Sequence, residues 1–244
     1  MQKHTDLPVL ENLQDSGVID EVYYRIKSGK EATVYCCRTG PVYGSQTASV
    51  KVYSPVKVRS FKRAGVYSHG RVVLDKREGR AIANKSDFGR DAQLGQWIGQ
   101  EFEAMVRLFD AGADIPMPIR CESRAMVMEH IGDTETPAPH IRDVELDRNE
   151  ARCLYEKVMG NIELFLSANC VHGDLSAYNI LYWEGQVKII DFPQCVDPRF
   201  NCEALAILER DIANVHAYFR RYGITDNVPA RARQMWHRFV NARM

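Results

Sequence analysis

The sequence of 244 residues contains no apolar run approaching the roughly 18 residues that suggest a membrane span, and no signal-peptide pattern at its start. We therefore expect a cytoplasmic protein without a membrane partner. Its seven cysteines include no Cys-x-x-Cys pair, which favours reduced thiols over disulfides or a zinc site. Because 32 Lys and Arg residues balance 32 Asp and Glu residues, any basic surface must be local.

Strands dominate the first part of the chain. Between Glu21 and Tyr53 the segments EVYYRIK, EATVYCCR and TASVKVY are rich in Val, Tyr and Thr and predict three strands. The stretch from Ser54 to Gly95 holds ten Lys and Arg residues against four acidic ones, and its apolar periodicity is poor, so we predict mostly loop. A helix is predicted from Trp97 to Ala111, and a hairpin from MPIRC and AMVMEHI.

Helices dominate the second part. Asp147, followed three residues later by Glu150, is a capping-box pattern that predicts a helix ending near Ala168. The segments ILYW and VKIID predict two short strands around the turn Glu184-Gly185, and the last 41 residues predict two helices, over 204–221 and 230–243.

This order of elements predicts an α+β protein with two lobes. We expect a small, β-rich lobe in residues 1–130 and a mostly helical lobe in residues 131–244.

The strongest local pattern is HGDLSAYN at residues 172–179, in which Asn179 follows Asp174 by five positions, the spacing of a kinase catalytic loop. In such a loop a carboxylate accepts or orients the proton of the attacking hydroxyl, and an amide oxygen holds a metal ion without adding charge beside the phosphates. Asp191 ends the apolar strand VKII. Burying an aspartate there is costly unless it binds a cation or a donor, and Mg²⁺ is the natural partner.

The nucleotide-binding pattern is less regular. The turn Ser28-Gly29-Lys30 keeps only the middle glycine of a kinase glycine loop, and its Ser28 hydroxyl and backbone amides could meet phosphate oxygens. Lys51, in ASVKVY, matches the strand lysine that reaches the α and β phosphates. Its acidic partner must come from the next helix, where Glu101 lies on the apolar face and Glu103 on the wet face. We therefore predict a pair between Lys51 and Glu101.

The segment MVMEHI suits the connector between the lobes, where adenine would lie against apolar side chains. We expect Met128 to contribute such a side chain. Backbone groups around Glu129 and Ile131 would bind the adenine edge.

Together these residues resemble the RIO family of atypical serine/threonine protein kinases. The matching pieces are SGKEATVY, ASVKVY, WIGQEFEAMVRLFDAG, VMEHIG with a following PAP, HGDLSAYNIL, and IIDFPQ with a following ERDIANVHAYF. The resemblance implies a two-lobed, protein-kinase-like fold. Residues 1–130 would hold the ATP-covering turn, the lysine strand, the basic loop and the glutamate helix, and residues 131–244 the catalytic loop and the metal-binding aspartate. It also implies ATP with Mg²⁺ or Mn²⁺ and phosphorylation of protein hydroxyls, including the kinase itself. It also implies that Asp174 is the catalytic base, that Asn179 and Asp191 bind metal, and that Ser28 and Lys51 contact ATP.

The sequence departs from the usual kinase motifs in two ways, and two alternative functions stay open. Asp191 is followed by Phe192-Pro193 without the usual glycine, and no A-P-E motif follows, so the usual activation-loop region is lacking. One alternative is a kinase-fold ATPase or nucleotide switch of the ribosome-maturation type, with an aspartyl-phosphate on Asp191 and RNA or an acidic partner at the basic stretch. The other is a phosphotransferase that acts on a small molecule, such as an aminoglycoside or choline. Only 53 residues follow Asp191, which leaves little room for a helical substrate-binding lobe.

Overall fold

The computed structural model describes residues 6–44, 46–54 and 87–242. The described chain forms two compact units. The first comprises residues 6–44, 46–54, 87–103 and 117–137, and the second comprises residues 104–116 and 138–242. Most of the predicted basic stretch, residues 55–86, lies outside the described residues.

The first unit is built on one five-stranded antiparallel sheet. Its strands are β1 (Ile19–Ser28), β2 (Ala32–Thr39), β3 (Thr47–Tyr53), β4 (Pro118–Glu122) and β5 (Ala125–Glu129). They are ordered β1-β2-β3-β5-β4. The three predicted strands and the predicted hairpin are therefore confirmed, and β3 lies at the centre of the sheet, where both of its edges are paired.

The alternation of β3 separates the two faces of this sheet. Ala48, Val50 and Val52 are buried in a hydrophobic cluster that includes Leu10 and Leu13 of helix α1 (Leu7–Asp15). Because successive side chains of a strand point to opposite faces, Lys51 projects from the other face. Helix α1, which our reading of the sequence did not identify, thus covers the face that Lys51 does not use.

Helix α2 (Asp87–Asp110) begins ten residues earlier than the predicted start at Trp97. The prediction of loop was therefore wrong for residues 87–95. Gly89 and Gly95 each disfavour a helix by about 1 kcal/mol, which weakens the helix signal of this segment in the sequence. The apolar face nevertheless includes Leu94 and Ile98, which are buried and favour the helix through packing.

The second unit contains helix α3 (Arg148–Ser167), which begins where the capping pattern predicts. Asp147 Oδ1 accepts hydrogen bonds from the backbone N–H groups of Asn149 (2.8 Å) and Glu150 (2.9 Å). The Glu150 carboxylate accepts a hydrogen bond from the hydroxyl of Tyr182 at 2.6 Å. The N-cap is thus present, and the glutamate of the predicted capping box ties the helix to a strand.

The remaining elements of the second unit are the hairpin β6 (Ile180–Trp183) and β7 (Gln186–Ile189), and helices α4 (Ala204–Phe219) and α5 (Val228–Asn241). Glu184 and Gly185 connect the hairpin with positive φ angles of 48° and 76°, as the predicted turn requires. Tyr155 of α3 packs edge-on against Phe219 of α4, and Phe165 of α3 packs edge-on against Phe192. These rings are buried, and Phe192 also packs against the ring of His172 in the loop at residues 172–179, with ring centroids 4.7 Å apart.

The cysteines correct one expectation. Cys170 and Cys195 form a disulfide with Cα atoms 5.9 Å apart, so the prediction that all seven thiols are reduced was wrong for this pair. The two residues are 25 positions apart and meet because the backbones of Val171 and Val196 form an isolated antiparallel bridge. The other five cysteines are free. Within the described part of the chain, every helix is too short or too polar to cross a membrane.

Candidate active site

Lys51 and Glu101 form the centre of the candidate site in the first unit. The Nζ atom of Lys51, on β3, lies 2.8 Å from Oε1 of Glu101, on α2. Glu101 is only 4% exposed, whereas Glu103 is exposed. A carboxylate buried to this degree needs a cation or strong donors, and Lys51 supplies the cation. The structure therefore places Glu101, and not Glu103, beside the strand lysine.

Tyr53 adds a second donor to the same carboxylate. Its hydroxyl donates to Oε2 of Glu101 at 2.6 Å, and Nζ of Lys51 lies 5.0 Å from the centre of its ring. Burial, followed by the negative charge of Glu101, raises the pKa of Tyr53 well above its usual value, so the hydroxyl stays protonated. Our reading of the sequence missed this residue. Its position two residues after Lys51, on the same face of a strand, was the available signal.

The predicted phosphate-covering turn connects β1 to β2. The backbone N–H of Gly29 donates to the carbonyl of Ala32 at 2.9 Å, which closes the turn. A Cβ atom at Gly29 would lie 3.2 Å from that carbonyl oxygen, so the tight turn favours glycine. Ser28 and Lys30 are exposed on either side of it. The turn thus presents a hydroxyl and an amine to solvent at the end of two strands.

The predicted adenine connector follows β5. The backbone N–H of Glu129 donates to the carbonyl of Met117 at 2.8 Å, and the Glu129 carboxylate accepts from the backbone N–H of Met117 at 3.0 Å. The N–H of Glu129 is therefore already engaged. Ile131 is 9% exposed, and Met128 is partly buried.

His130 fixes this connector from its side chain. Its Nδ1 lies 3.0 Å from the hydroxyl oxygen of Ser49 on β3, and its Nε2 lies 3.0 Å from the carbonyl oxygen of Asp133. Burial lowers the pKa of His130 and favours the neutral ring. In that tautomer Nε2–H donates to the carbonyl and Nδ1 accepts from Ser49, so the histidine links the central strand to the connector.

The catalytic-loop sequence in the second unit folds into a closed turn. The side-chain nitrogen of Asn179 donates to the carbonyl of Asp174 at 2.9 Å, and its backbone N–H donates to the carbonyl of Ser176 at 2.9 Å. Because the amide nitrogen is used within the loop, the Oδ1 oxygen of Asn179 is the atom suited to a cation. Asp174 is exposed, so its carboxylate is accessible to a reactant.

His172 joins this loop to the strand that carries Asp191. Its Nε2 donates to the carbonyl of Ile190 at 3.1 Å, and its Nδ1 accepts from the backbone N–H of Asp174 at 3.3 Å. Complete burial lowers the pKa of His172 to about 4, so the ring is neutral at pH 7. The backbone N–H of Ile190 also donates to the carbonyl of Asn179 at 2.9 Å. Two hydrogen bonds thus connect the loop to the residue at the end of the strand.

Asp191 follows that strand in a left-handed conformation, with a φ of 73°. Few residues other than glycine adopt this conformation, and it turns the chain sharply at the aspartate. The residue is exposed, whereas the neighbouring Phe192 is 1% exposed. At the end of the apolar strand VKII, a buried aspartate was expected to need a cation or a donor. The structure instead avoids the cost of burial by turning the carboxylate outward and the phenylalanine inward.

Asp211 supports the loop from helix α4. It is 1% exposed and accepts hydrogen bonds from the backbone N–H groups of Gly173 (2.8 Å) and Leu175 (3.3 Å). Burial raises its pKa from 3.8 to about 7, although the two N–H donors and Arg210 oppose the shift. No role is predicted for Asp211 from the sequence. An aspartate on the apolar stripe that also holds Leu208 and Ile212 was the available signal.

Each unit thus offers one part of a phosphoryl-transfer chemistry. The first offers a buried carboxylate of α2 that holds a lysine cation of β3, which suits the anionic phosphates of a nucleotide. The second offers an amide oxygen and two exposed carboxylates, the oxygen ligands that Mg²⁺ prefers. Among the described residues, no group of three or more His, Cys, Asp or Glu side chains is arranged to hold a metal ion. Amide and carboxylate oxygens of the kind named above fit a Mg²⁺ ion that also takes ligands from phosphate oxygens and water.

The fold and these residues define a protein-kinase-like architecture, and comparisons with known proteins identify its family. The crystal structure of the Rio2 kinase-ADP/Mg²⁺-phosphoaspartate complex from Chaetomium thermophilum is similar with a TM-score of 0.68, at 20% identity, over 96% of this chain and 67% of that one. This likeness confirms the predicted kinase-like fold. The sequence profile of the RIO domain matches residues 33–232, and the chain therefore belongs to the RIO family, as its motifs predicted.

Named relatives agree with this assignment. Human serine/threonine-protein kinase RIO1 is 32% identical over 217 residues, which cover 88% of this chain and 36% of the human protein. The RIO-type serine/threonine-protein kinase Rio1 of Thermoplasma acidophilum is 31% identical over 185 residues, which cover 75% of this chain and 90% of the archaeal protein. The chain spans about a third to less than half of the length of several eukaryotic relatives.

Proposed function

We propose that the protein is a RIO-type serine/threonine protein kinase that transfers the γ-phosphate of MgATP to a protein hydroxyl, including its own. One observation carries this proposal: a chain of the RIO family holds the Lys51–Glu101 ion pair at 2.8 Å in one unit and the hydrogen-bonded Asp174–Asn179 loop in the other. These are the residue types and spacings that kinase phosphoryl transfer uses. In this proposal residues 1–130 serve the nucleotide, and residues 131–244 serve the reaction.

The nucleotide would be held mainly by the first of these segments, with one contact from Ile131 at the start of the second. Lys51 would bind the phosphates, and the turn at residues 28–30 would cover them with its backbone N–H groups and the Ser28 hydroxyl. Adenine would lie against Met128 and bind backbone groups near Glu129 and Ile131. Because the Glu129 N–H already bonds to Met117, we assign the donor in that contact to Ile131.

The reaction would use Asp174 as the base. The acceptor hydroxyl oxygen forms a bond to the γ-phosphorus, the bond from that phosphorus to the β–γ bridging oxygen breaks, and the hydroxyl proton passes to the Asp174 carboxylate. Asn179 and Asp191 would hold Mg²⁺, or Mn²⁺ in its place, and the bound ion would neutralise charge on the phosphates. The Asp174 backbone is fixed by His172, which keeps the carboxylate in place for this role.

Labelled ATP tests the proposal directly. Purified protein is incubated with γ-labelled ATP, Mg²⁺ and a generic basic protein, and acid-stable label on serine and threonine is measured. We expect label in the wild type, and its loss in Asp174→Asn with retained ATP binding. The matched control is Asp143→Asn, an exposed carboxylate that pairs with its neighbour Arg142. Steady phosphate release without any label on hydroxyl residues would contradict the proposed kinase activity.

A nucleotide-dependent ATPase or switch is the second candidate function. The neighbouring Rio2 structure is a phosphoaspartate complex, and Asp191 here is exposed in a left-handed turn. The same labelled sample distinguishes the two functions. An aspartyl-phosphate is an acyl phosphate, which hydroxylamine cleaves, whereas phosphoserine and phosphothreonine resist it. Label that hydroxylamine removes and Asp191→Asn abolishes would favour the ATPase.

Three finer proposals concern partners and modification. We place autophosphorylation on Ser54, Ser60, Ser68 or Ser86 of the basic stretch, most of which lies outside the described residues. The excess of Lys and Arg there would suit RNA or an acidic ribosomal partner, and the protein would act in the cytoplasm. Mass spectrometry of the labelled protein tests the first of these, because phosphate found only outside residues 54–95 would contradict it.

A further inference from the structure

Tyr53 and Lys51 bind different oxygens of one buried carboxylate. Lys51 Nζ contacts Oε1 of Glu101 at 2.8 Å, and the Tyr53 hydroxyl donates to Oε2 at 2.6 Å. A carboxylate that is held at one oxygen can rotate about its last side-chain bond, whereas one held at both oxygens has a fixed plane. The two contacts together therefore define the direction in which Glu101 presents its charge.

The backbone of Tyr53 is itself anchored. Its N–H donates to the carbonyl of Arg124 at 2.8 Å, and the Arg124 guanidinium donates to the Tyr53 carbonyl. The side chain is 5% exposed, and its ring lies beneath the Lys51 cation. Since both the backbone and the ring are fixed, forming the hydrogen bond to Glu101 costs little further conformational entropy.

We propose that Tyr53 is a positioning residue for nucleotide binding, which acts through Glu101 on Lys51. This inference rests on the proposed function. A lysine that binds phosphates must divide its three N–H donors between the phosphates and Glu101, so its hold on the carboxylate weakens as the nucleotide arrives. Tyr53 keeps Oε2 bound throughout, and Oε1 therefore remains directed at Lys51 in the nucleotide complex.

The competing explanation is that Tyr53 only fills space between β3 and α2. The two explanations differ in what Tyr53→Phe should do, because that change keeps the ring and removes only the hydroxyl. Pure packing predicts a loss of stability and no specific effect on the nucleotide. Positioning predicts weaker ATP binding in the folded protein, with no change in the Michaelis constant for the protein acceptor.

Tyr35→Phe provides a matched control. The Tyr35 hydroxyl, on β2 of the same sheet, also donates to a carboxylate, at 3.0 Å from Asp6. Its ring packs against the hydrophobic cluster beneath α1, on the face that Lys51 does not use. Both variants thus lose a tyrosine–carboxylate hydrogen bond from the same sheet, but only Tyr53→Phe loses one at the lysine.

The experiment is a double-mutant cycle on the dissociation constant for ATP and Mg²⁺, measured by calorimetry well below the unfolding temperature. We expect Tyr53→Phe to weaken ATP binding about three- to tenfold, as loss of one hydrogen bond to a charged group allows, and Tyr35→Phe to leave it within twofold. In the Glu101→Leu background, where no carboxylate remains to be positioned, Tyr53→Phe should have no further effect.

Each outcome bears on a different claim. A wild type that binds no ATP contradicts the proposed function, whatever Tyr53 does. A wild type that binds ATP, with Tyr53→Phe equal to it or with the full effect of Tyr53→Phe persisting in Glu101→Leu, overturns the positioning role alone. If Tyr53→Phe is unfolded in buffer alone, wild type and Tyr53→Phe are compared again in sucrose, which favours the folded state, and equal ATP affinities there overturn the positioning role.

Discussion

The carboxylate of Asp211 accepts hydrogen bonds from the backbone N–H groups on both sides of Asp174, at 2.8 Å from Gly173 and 3.3 Å from Leu175. A buried group on a helix thus fixes the backbone of an exposed residue in a loop. The relationship explains how Asp174 can be accessible to solvent and still be held in one place. It also makes the loop sensitive to a change that touches no exposed atom.

We expect Asp211→Asn to reduce phosphotransfer at least tenfold. The amide oxygen can replace one acceptor, but its NH₂ group would face a backbone donor and leave one N–H unsatisfied, at a cost of about 1–3 kcal/mol. Glu209→Gln, a partly exposed carboxylate on the same helix, is the control and should behave like wild type. Steady-state rates and unfolding temperatures measure both effects. Full activity in Asp211→Asn would mean that the loop does not depend on this contact.

The pH dependence of stability should distinguish the contribution of Asp211 from that of His172. The folded-state pKa of Asp211 is raised from 3.8 to about 7, so the folded protein binds its proton more tightly and this contribution to stability declines as pH rises through that window. The folded-state pKa of His172 is lowered from 6.5 to about 4, so its contribution increases with pH between these values. The two trends oppose each other between about pH 4 and 6.5.

Removing one titrating group should therefore expose the other. In Asp211→Asn the free energy of unfolding should rise more steeply with pH between about 4 and 6.5 than in wild type, because the His172 contribution is no longer offset. In His172→Gln it should fall with pH over the same range. Urea unfolding at a series of pH values measures both slopes. Parallel curves for the three proteins would show that neither group carries the shifts described.

Gly173 should tolerate no side chain. Its φ is 85°, and a Cβ atom would lie 2.4 Å from the carbonyl oxygen of Gln194, so both the backbone conformation and the available space exclude alanine. We expect Gly173→Ala to lose about 2 kcal/mol or more of stability and most of its activity, because any shift moves the neighbouring Asp174. Gly160 lies in the middle of α3, where an added Cβ atom would meet only open space. Gly160→Ala should therefore be neutral or stabilising by up to about 1 kcal/mol. Chemical unfolding and phosphotransfer assays distinguish these results.

Local sequence patterns predicted much of the fold because short-range chemistry determines those parts. Strand composition located the sheet, and the Asp147 cap located the start of α3. The start of α2 was misplaced because its glycines weaken the helix pattern, while the burial of Leu94 and Ile98 favours it through contacts distant in sequence. The Cys170–Cys195 pair was missed for the same reason, since only the folded bridge beside it brings the two residues together.

The residues of the candidate site divide in a similar way. Residues that would touch a nucleotide or metal, such as Lys51 and Asn179, stand in recognisable spacings because the chemistry requires them there. Residues that hold those groups in place, such as Tyr53 and Asp211, depend on contacts 48 and 38 positions away. Nothing in a single sequence shows which buried polar group meets which backbone. The available signals were the position of Tyr53 two residues after Lys51 on the same strand face, and the position of Asp211 on the apolar stripe of α4.

The ion pair of Lys51 and Glu101 allows stability and function to be separated. Lys51→Met should reduce ATP-dependent activity by more than tenfold, because it removes the cation for the phosphates. It should also destabilise the protein by about 3–5 kcal/mol, because the buried Glu101 carboxylate loses its cation. The matched control is Lys157→Met, which removes a partly exposed lysine that lies 3.4 Å from Asp114, and it should change neither quantity much.

Adding Glu101→Leu to Lys51→Met should then restore most of the stability, since no buried charge remains, but it should not restore activity. Thermal unfolding and ATP turnover, measured on the same four proteins, give both answers. If the double variant regained activity along with stability, Lys51 would be needed only to neutralise Glu101, and the phosphates would have to be bound elsewhere. If Lys51→Met lost neither stability nor activity, the contact at 2.8 Å would carry neither role.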